Sequence, residues 1–172
     1  MAERVPADPL AEAARQWKQH GWSDATLGMS VVTSIVRAQQ LLSARIDRVL
    51  SPDGLTFARF EILRLLAFTQ AGEMPVGKMS DRLQVHGTSV TSAVERLVKQ
   101  GFVTRRRHEV DGRVVLVEIT DEGRRVVEAA TLVLNREVFQ ALGLSERQLA
   151  DLLRGLRRLR EAAGDLDEGT SS

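Results

Sequence analysis

Apolar residues recur at helical spacing through most of the chain, and the interruptions between the periodic runs carry recognisable start and stop signals. Asp8-Pro9 places an N-cap before a proline at the first helical position, and Leu10, Ala13, Ala14 and Trp17 follow until Gly21 ends the run. A second and longer stripe, with Val31, Val32, Ile35, Val36, Leu42, Ile46 and Val49, begins near Ser23 or Asp24 and breaks at Ser51-Pro52-Asp53-Gly54. A helix of that length usually packs against something extended, such as a second subunit. Thr56 caps a third helix carrying Phe57, Phe60, Leu63, Leu66 and Ala67, and the polar stretch Thr69 to Pro75 reads as the loop that closes it.

The elements then shorten. Val76, Met79 and Leu83 mark a two-turn helix, Gln84 to Gly87 a tight turn, and Thr88 to Gln100 a helix whose apolar face is Val90, Val94, Leu97 and Val98, with Gly101 at the position of a left-handed cap. Two β-rich runs, Phe102 to Thr104 and Val114 to Ile119, flank a polar tip at Glu109 to Gly112 and predict a hairpin. Thr120, Asp121 and Glu122 open a further helix expected to run through Val138. Ser145 with Gln148 forms a capping box before the leucine stripe Leu149, Leu152, Leu153, Leu156 and Leu159. The fold class is therefore mainly α with a small β-hairpin wing, a winged helix-turn-helix between long N- and C-terminal dimerisation helices. The expected divisions are an N-terminal extension with an appended helix (1–22), a dimerisation helix (23–54), a winged domain (55–120), C-terminal dimerisation helices (121–164) and a polar tail (165–172).

Composition narrows the chemistry. The 172 residues contain no cysteine, which excludes disulfides, thiolate metal sites and thiol chemistry, and His20, His86 and His108 stand at unrelated spacings, so no metal and no cofactor is expected. No Gly-rich phosphate loop and no nucleophile–base set point to an enzyme. The absence of an apolar leader or spanning run points to a cytoplasmic protein with no membrane partner. Net charge is only +1, but it is unevenly placed. Between Val76 and Arg113 stand eight basic residues (Lys78, Arg82, Arg96, Lys99, Arg105, Arg106, Arg107, Arg113) against four acidic ones (Asp81, Glu95, Glu109, Asp111). That concentration, on the short helices and the hairpin, is where a DNA face belongs.

On that face Thr88, Ser89, Thr91 and Ser92 are small hydroxyl residues able to approach base edges or phosphates, and Arg96 lies one turn beyond; Ser89, Thr91, Ser92 and Arg96 are expected in the major groove. Lys78 and Arg105 are expected toward phosphate, because alternation along a strand prevents Arg105, Arg106 and Arg107 from all meeting one backbone. Arg113 at the wing tip suits the electronegative minor groove, and Asp111, two residues earlier, can shape the tip. The bland readings are helix caps for the hydroxyls and a plain Asp-Gly turn for the wing.

The order of these motifs resembles the MarR family of bacterial transcriptional regulators over roughly residues 25 to 163. It is carried by Leu83-Gln84-Val85, Ser89-Val90-Thr91 with Val94-Glu95-Arg96-Leu97, Gly101-Phe102-Val103 with Arg105, Asp111-x-Arg113, and Leu116-x-x-x-Thr120-x-x-Gly123. The resemblance implies a bacterial, nucleoid-associated homodimer of triangular shape that binds a pseudo-palindromic double-stranded operator. It implies a repressor released by a small aromatic or anionic effector held between the dimer region and the winged domain. Gly112 stands where many members carry a second wing arginine, and Gly87 where members often carry proline or arginine. The helix Asp8 to His20 precedes the family core and resembles the added helix of the PecS/urate-responsive branch, in which a tryptophan contributes to the ligand site. Trp17 or Trp22 would be its counterpart, the alternative being that Trp17 simply anchors the helix. A different reading of the whole chain is a dimeric winged-helix module that binds protein rather than specific DNA.

Overall fold

The computed structural model describes residues 8–83, 87–108, 111 and 113–166. The chain divides into two compact units, Met1–Val138 and Phe139–Ser172. In the first, helices α1 (Pro9–Gln19), α2 (Ser23–Leu50) and α3 (Phe57–Phe68) precede strand β1 (Glu73–Pro75) and helices α4 (Val76–Leu83) and α5 (Gly87–Lys99). Strands β2 (Val103–Arg107) and β3 (Val115–Ile119) and helix α6 (Asp121–Leu134) follow. The second unit is built on α7 (Glu146–Ala162). No helix among the described residues is long and apolar enough to cross a membrane.

The helix signals read from the sequence correspond to real caps. The Asp8 carboxylate accepts from the backbone N–H of Leu10, and Thr56 and Thr120 accept from the N–H groups of Arg59 and Gly123. Ser145 and Gln148 satisfy each other's backbone donors in a full capping box. At the end of α5 the Phe102 N–H reaches the Leu97 carbonyl and the Gly101 N–H that of Val98, with Gly101 at φ +75°. This paired closure needs a left-handed residue, which glycine adopts without strain.

One core joins the elements of the first unit. Leu50 from the end of α2, Phe60, Leu63 and Leu66 from α3, Met79 from α4, Val90, Val94 and Leu97 from α5, Val103, Val117 and Ile119 from the sheet, and Val127, Ala130 and Leu134 from α6 are all buried within it. The winged elements thus share their interior with α6 and the last turn of α2. Arg64 ties α3 to α6 as well: it donates to the Glu128 carboxylate at 2.6 Å and to the Thr131 hydroxyl at 3.2 Å, and its guanidinium lies 4.6 Å from the Phe68 ring centre. The Arg64 hydrogen bond, reinforced by its charge, holds the exposed Glu128 carboxyl below the usual carboxylate range.

The first half of α2 is covered differently. Helix α1 folds back on it, Trp17 meets Trp22 edge to face at 4.9 Å, and Thr26 is buried there. Thr26, Ser30 and Thr33 donate their hydroxyls to carbonyls one turn earlier, so this polar stripe is satisfied within its own helix.

Two expectations change. Thr69 to Pro75 is not all loop: Glu73–Pro75 pairs antiparallel with β3 (Met74 opposite Val117), and the wing is a three-stranded sheet in the order β1-β3-β2. The strand is only three residues long with a single buried side chain, Met74, too short for alternation to show, and Pro75 is tolerated because it sits at the end of an edge strand. Helix α6 does not run through Val138 as an α-helix; it ends at Leu134 and passes into a π turn, Asn135–Phe139. A guanidinium N–H of Arg45 on α2 takes the Glu137 carbonyl in that turn.

A tight joint lies where the wing returns to α6. The Thr120 N–H donates to the Phe102 carbonyl at 3.0 Å and its hydroxyl to the Gly101 carbonyl at 2.8 Å. Gly123 lies so close that a Cβ would stand 2.2 Å from the Phe102 carbonyl oxygen. Gly123→Ala is expected to destabilise the fold by at least about 2 kcal/mol in urea denaturation, because backbone rather than a movable side chain must give way. Gly155→Ala, with nothing within 4 Å of the added atom, is the tolerated control.

Candidate nucleic-acid interface

Helix α5 presents distinct flanks because its core stripe, Val90, Val94 and Leu97, fixes its rotation. Ser89, Ser92 and Arg96, spaced three and seven residues along the helix, share an exposed flank. Thr91 falls on another side, is half-buried and has interactions of its own. The sequence-level grouping of all four in one surface is therefore divided by the structure. Thr88 begins the helix, and its side chain lies outside the described residues.

The flank formed by Ser89, Ser92 and Arg96 faces the start of α3 across an open cleft of about 610 Å³, whose other wall is Thr56, Ala58 and Arg59. Arg59 was not singled out from the sequence. Its Nε donates to the Thr56 hydroxyl at 3.3 Å and its Nη1 to the Gln100 side-chain carbonyl at 3.2 Å, while Gln100 donates onward to the Gly54 carbonyl at 3.0 Å. Gln100 lies 41 residues from Arg59, so no periodicity betrays that bond; only the Thr56 cap one turn earlier was a visible signal.

Behind the cleft, Glu61 enters a narrow apolar pocket with Ile62, Leu83 and Val90. Burial raises its carboxyl above the usual range.

On the wing, Arg106 is committed to Glu73 of β1 at 2.7 Å. Arg105 and Arg107 alternate to the opposite face, are exposed, and form no ion pair with another described residue. At the tip the Asp111 carboxylate accepts from the backbone N–H of Arg113 at 3.0 Å, and the Val114 N–H returns to the Asp111 carbonyl at 3.0 Å. Asp111 therefore acts on the turn through the backbone, leaving the exposed Arg113 guanidinium outside that bond. Glu109, Val110 and Gly112 lie outside the described residues. Lys78 is exposed on α4. Among the described residues no group of His, Asp and Glu is placed to hold a metal ion.

Trp17 stands apart from all of these. It packs on Trp22 at the start of α2, and α2 rises about 36 Å between Thr26 and Leu50 at 1.5 Å per residue, so within one protomer it is remote from the shared core.

A family model described as the MarR family matches residues 55–115, the segment from the start of α3 into β3. A solved MarR family transcriptional regulator from Streptomyces coelicolor is 48% identical, with 82% of this chain and 98% of that one covered and a TM-score of 0.72. The chain belongs to the MarR family. Its sequence is also 30% identical over 132 residues, 77% of this chain and 88% of the relative, to an uncharacterized HTH-type transcriptional regulator of Mycobacterium leprae. A further MarR family regulator from Streptomyces coelicolor, solved in complex with DNA, is 26% identical, with 77% and 84% covered and a TM-score of 0.68. The family consists of transcriptional regulators, not enzymes, and the described fold is its mostly helical architecture with a small antiparallel sheet.

The position of Glu61 carries a pH signature within this MarR family fold. A carboxyl whose folded value is raised disfavours the folded state once ionised, and that cost is relieved as pH falls through the raised value. Glu61→Gln is expected to raise the melting temperature near pH 7, with the gain shrinking on acidification and vanishing below the ordinary carboxylate range. An equal gain at both ends of a thermal-denaturation series would contradict the assignment.

Proposed function

We propose that this MarR family chain is a dimeric, sequence-specific DNA-binding regulator, a repressor that leaves a pseudo-palindromic operator when a small aromatic or anionic effector binds. The observation that carries the DNA reading is the pairing of an exposed Ser89–Ser92–Arg96 flank on α5 with exposed wing arginines, Arg105 and Arg107, that form no ion pair with another described residue. In this reading α5 enters the major groove with Ser92 toward base edges and Thr88 and Thr91 beside it. Arg113, presented by the Asp111 turn, enters the minor groove, and Lys78 and Arg105 meet phosphates. A relative 26% identical solved in complex with DNA supports the DNA reading.

The dimer rests on apolar surface that a lone protomer leaves in water. Leu27 is 77% exposed, and Val31, Val32, Val36 and Leu41 on the same helix are also open. On α7 Leu153 is 69% exposed, with Leu152 and Leu159 similarly bare. A second copy covers such stripes most economically. Leu153→Asp is expected to shift sedimentation at micromolar concentration from dimer to monomer, because an unpaired carboxylate would be buried. A monomeric parent protein would contradict the dimer.

Effector release then follows from spacing, since the two α5 helices must stand about one turn, roughly 34 Å, apart to dock together. A ligand that favours another spacing by about 2.7 kcal/mol weakens operator binding near a hundredfold. If Trp17 takes part, the crevice it lines is formed with the partner's winged domain, and the contact between Trp17 and Trp22 makes tryptophan emission a sensitive reporter.

The deciding experiment selects a duplex from a random-sequence pool and titrates binding with salt. Arg113→Ala is expected to lose roughly 1–3 kcal/mol per site and relax preference at one position in each half-site. Lys78→Ala is expected to weaken all sequences alike and lower the salt slope by about two per dimer. No salt-dependent binding by the parent protein would reject the DNA reading.

A further inference from the structure

The cleft between α3 and α5 has a purpose that the recognition helix alone does not explain. It brings two guanidinium groups, Arg59 and Arg96, and three hydroxyl residues, Thr56, Ser89 and Ser92, around one open space. Among the described residues no carboxylate lines it; Glu61 lines the narrower apolar pocket that shares Ala58, Ser89 and Ala93 with it. Arg59 is held in place from two sides, by Thr56 through Nε and by Gln100 through Nη1. Those bonds use two of its five N–H donors and leave the Nη2 pair available. Arg96 makes no ion pair with another described residue and is exposed.

We propose that Arg59 and Arg96 clamp a single backbone phosphate of the bound DNA, seated between the start of α3 and the outer flank of α5. This rests on the DNA reading above and adds to it a contact that the sequence did not suggest, with Arg96 serving the backbone rather than a base. The occupant follows from the shape and chemistry of the cleft. A small-molecule site encloses most of its ligand, whereas this one is open, and between Ala58 and Ala93 it gathers guanidinium and hydroxyl groups, which suit a tetrahedral oxyanion on a strand passing across it. Arg59 is preorganised, so little side-chain freedom is lost when the phosphate arrives. Because the clamp spans α3 and α5, it fixes the depth and register of α5 in the groove, leaving Ser92 to face base edges.

The test uses the full chain and the selected duplex, with Arg59→Gln, Arg59→Lys and Gln100→Ala. Arg59→Gln is expected to weaken selected and random duplexes by the same factor and to lower the salt slope by about two per dimer. Arg59→Lys should restore most of the slope, since the charge returns without the fork. Gln100→Ala should keep the slope, because the cation remains. If Arg59→Gln weakens binding or lowers the melting temperature while the slope stays at the parent value, Arg59 is only a packing residue and the proposal falls. It falls equally if inorganic phosphate shifts the Arg59 and Arg96 side-chain resonances while the Arg59→Gln slope is unchanged, for the cleft would then hold a free anion. Loss of salt-dependent binding in the parent protein would reject the DNA reading itself, a distinct outcome.

Discussion

The carboxyl end of α5, the helix proposed to read DNA, is held by a backbone contact with no room for a side chain. Gly101 closes α5, Phe102 turns into β2, and Gly123 of α6 lies against the Phe102 carbonyl where a Cβ would approach to 2.2 Å. Thr120 locks the same joint with bonds to both carbonyls, Gly101 and Phe102. The end of α5, the base of the wing and the start of α6 are thereby one tight junction. The shared core extends it to the last turn of α2 through Leu50.

This junction explains how exposed chemistry and buried packing divide the chain. Helix α5 spends Val90, Val94 and Leu97 on the core and so turns Ser89, Ser92 and Arg96 outward. The sheet spends Val103, Val117 and Ile119 on the same core, and alternation then separates Arg106, paired with Glu73, from Arg105 and Arg107. The regulator's charge is modest overall, but burial of the core side leaves Arg96, Arg105 and Arg107 exposed.

Much of this was legible in the sequence because the signals were local. Caps at Asp8, Thr56, Thr120 and Ser145, the left-handed Gly101, and the Thr120-x-x-Gly123 pair each act within a few residues, and the long stripes of α2 and α7 repeat often enough to be seen. Strand β1 was not legible, since three residues with one buried methionine carry no period and its pairing partner, β3, lies over forty residues away. The π turn after Leu134 depends on Arg45 from a distant helix. Arg59 escaped for the same reason: its placement rests on Gln100, and no spacing links the two. Ser89, Ser92 and Arg96 could have been separated from Thr91 by helical geometry alone, once the core stripe of α5 was used to set its rotation.

In the proposed function two copies of the chain present their α5 helices together to one duplex. Hydroxyl-radical footprinting of the duplex selected by the protein tests it most directly. The account predicts two protected backbone segments related by a dyad, their centres about one helical turn, ~10 base pairs, apart. A single protected segment, or protection spread evenly along the duplex, would contradict it.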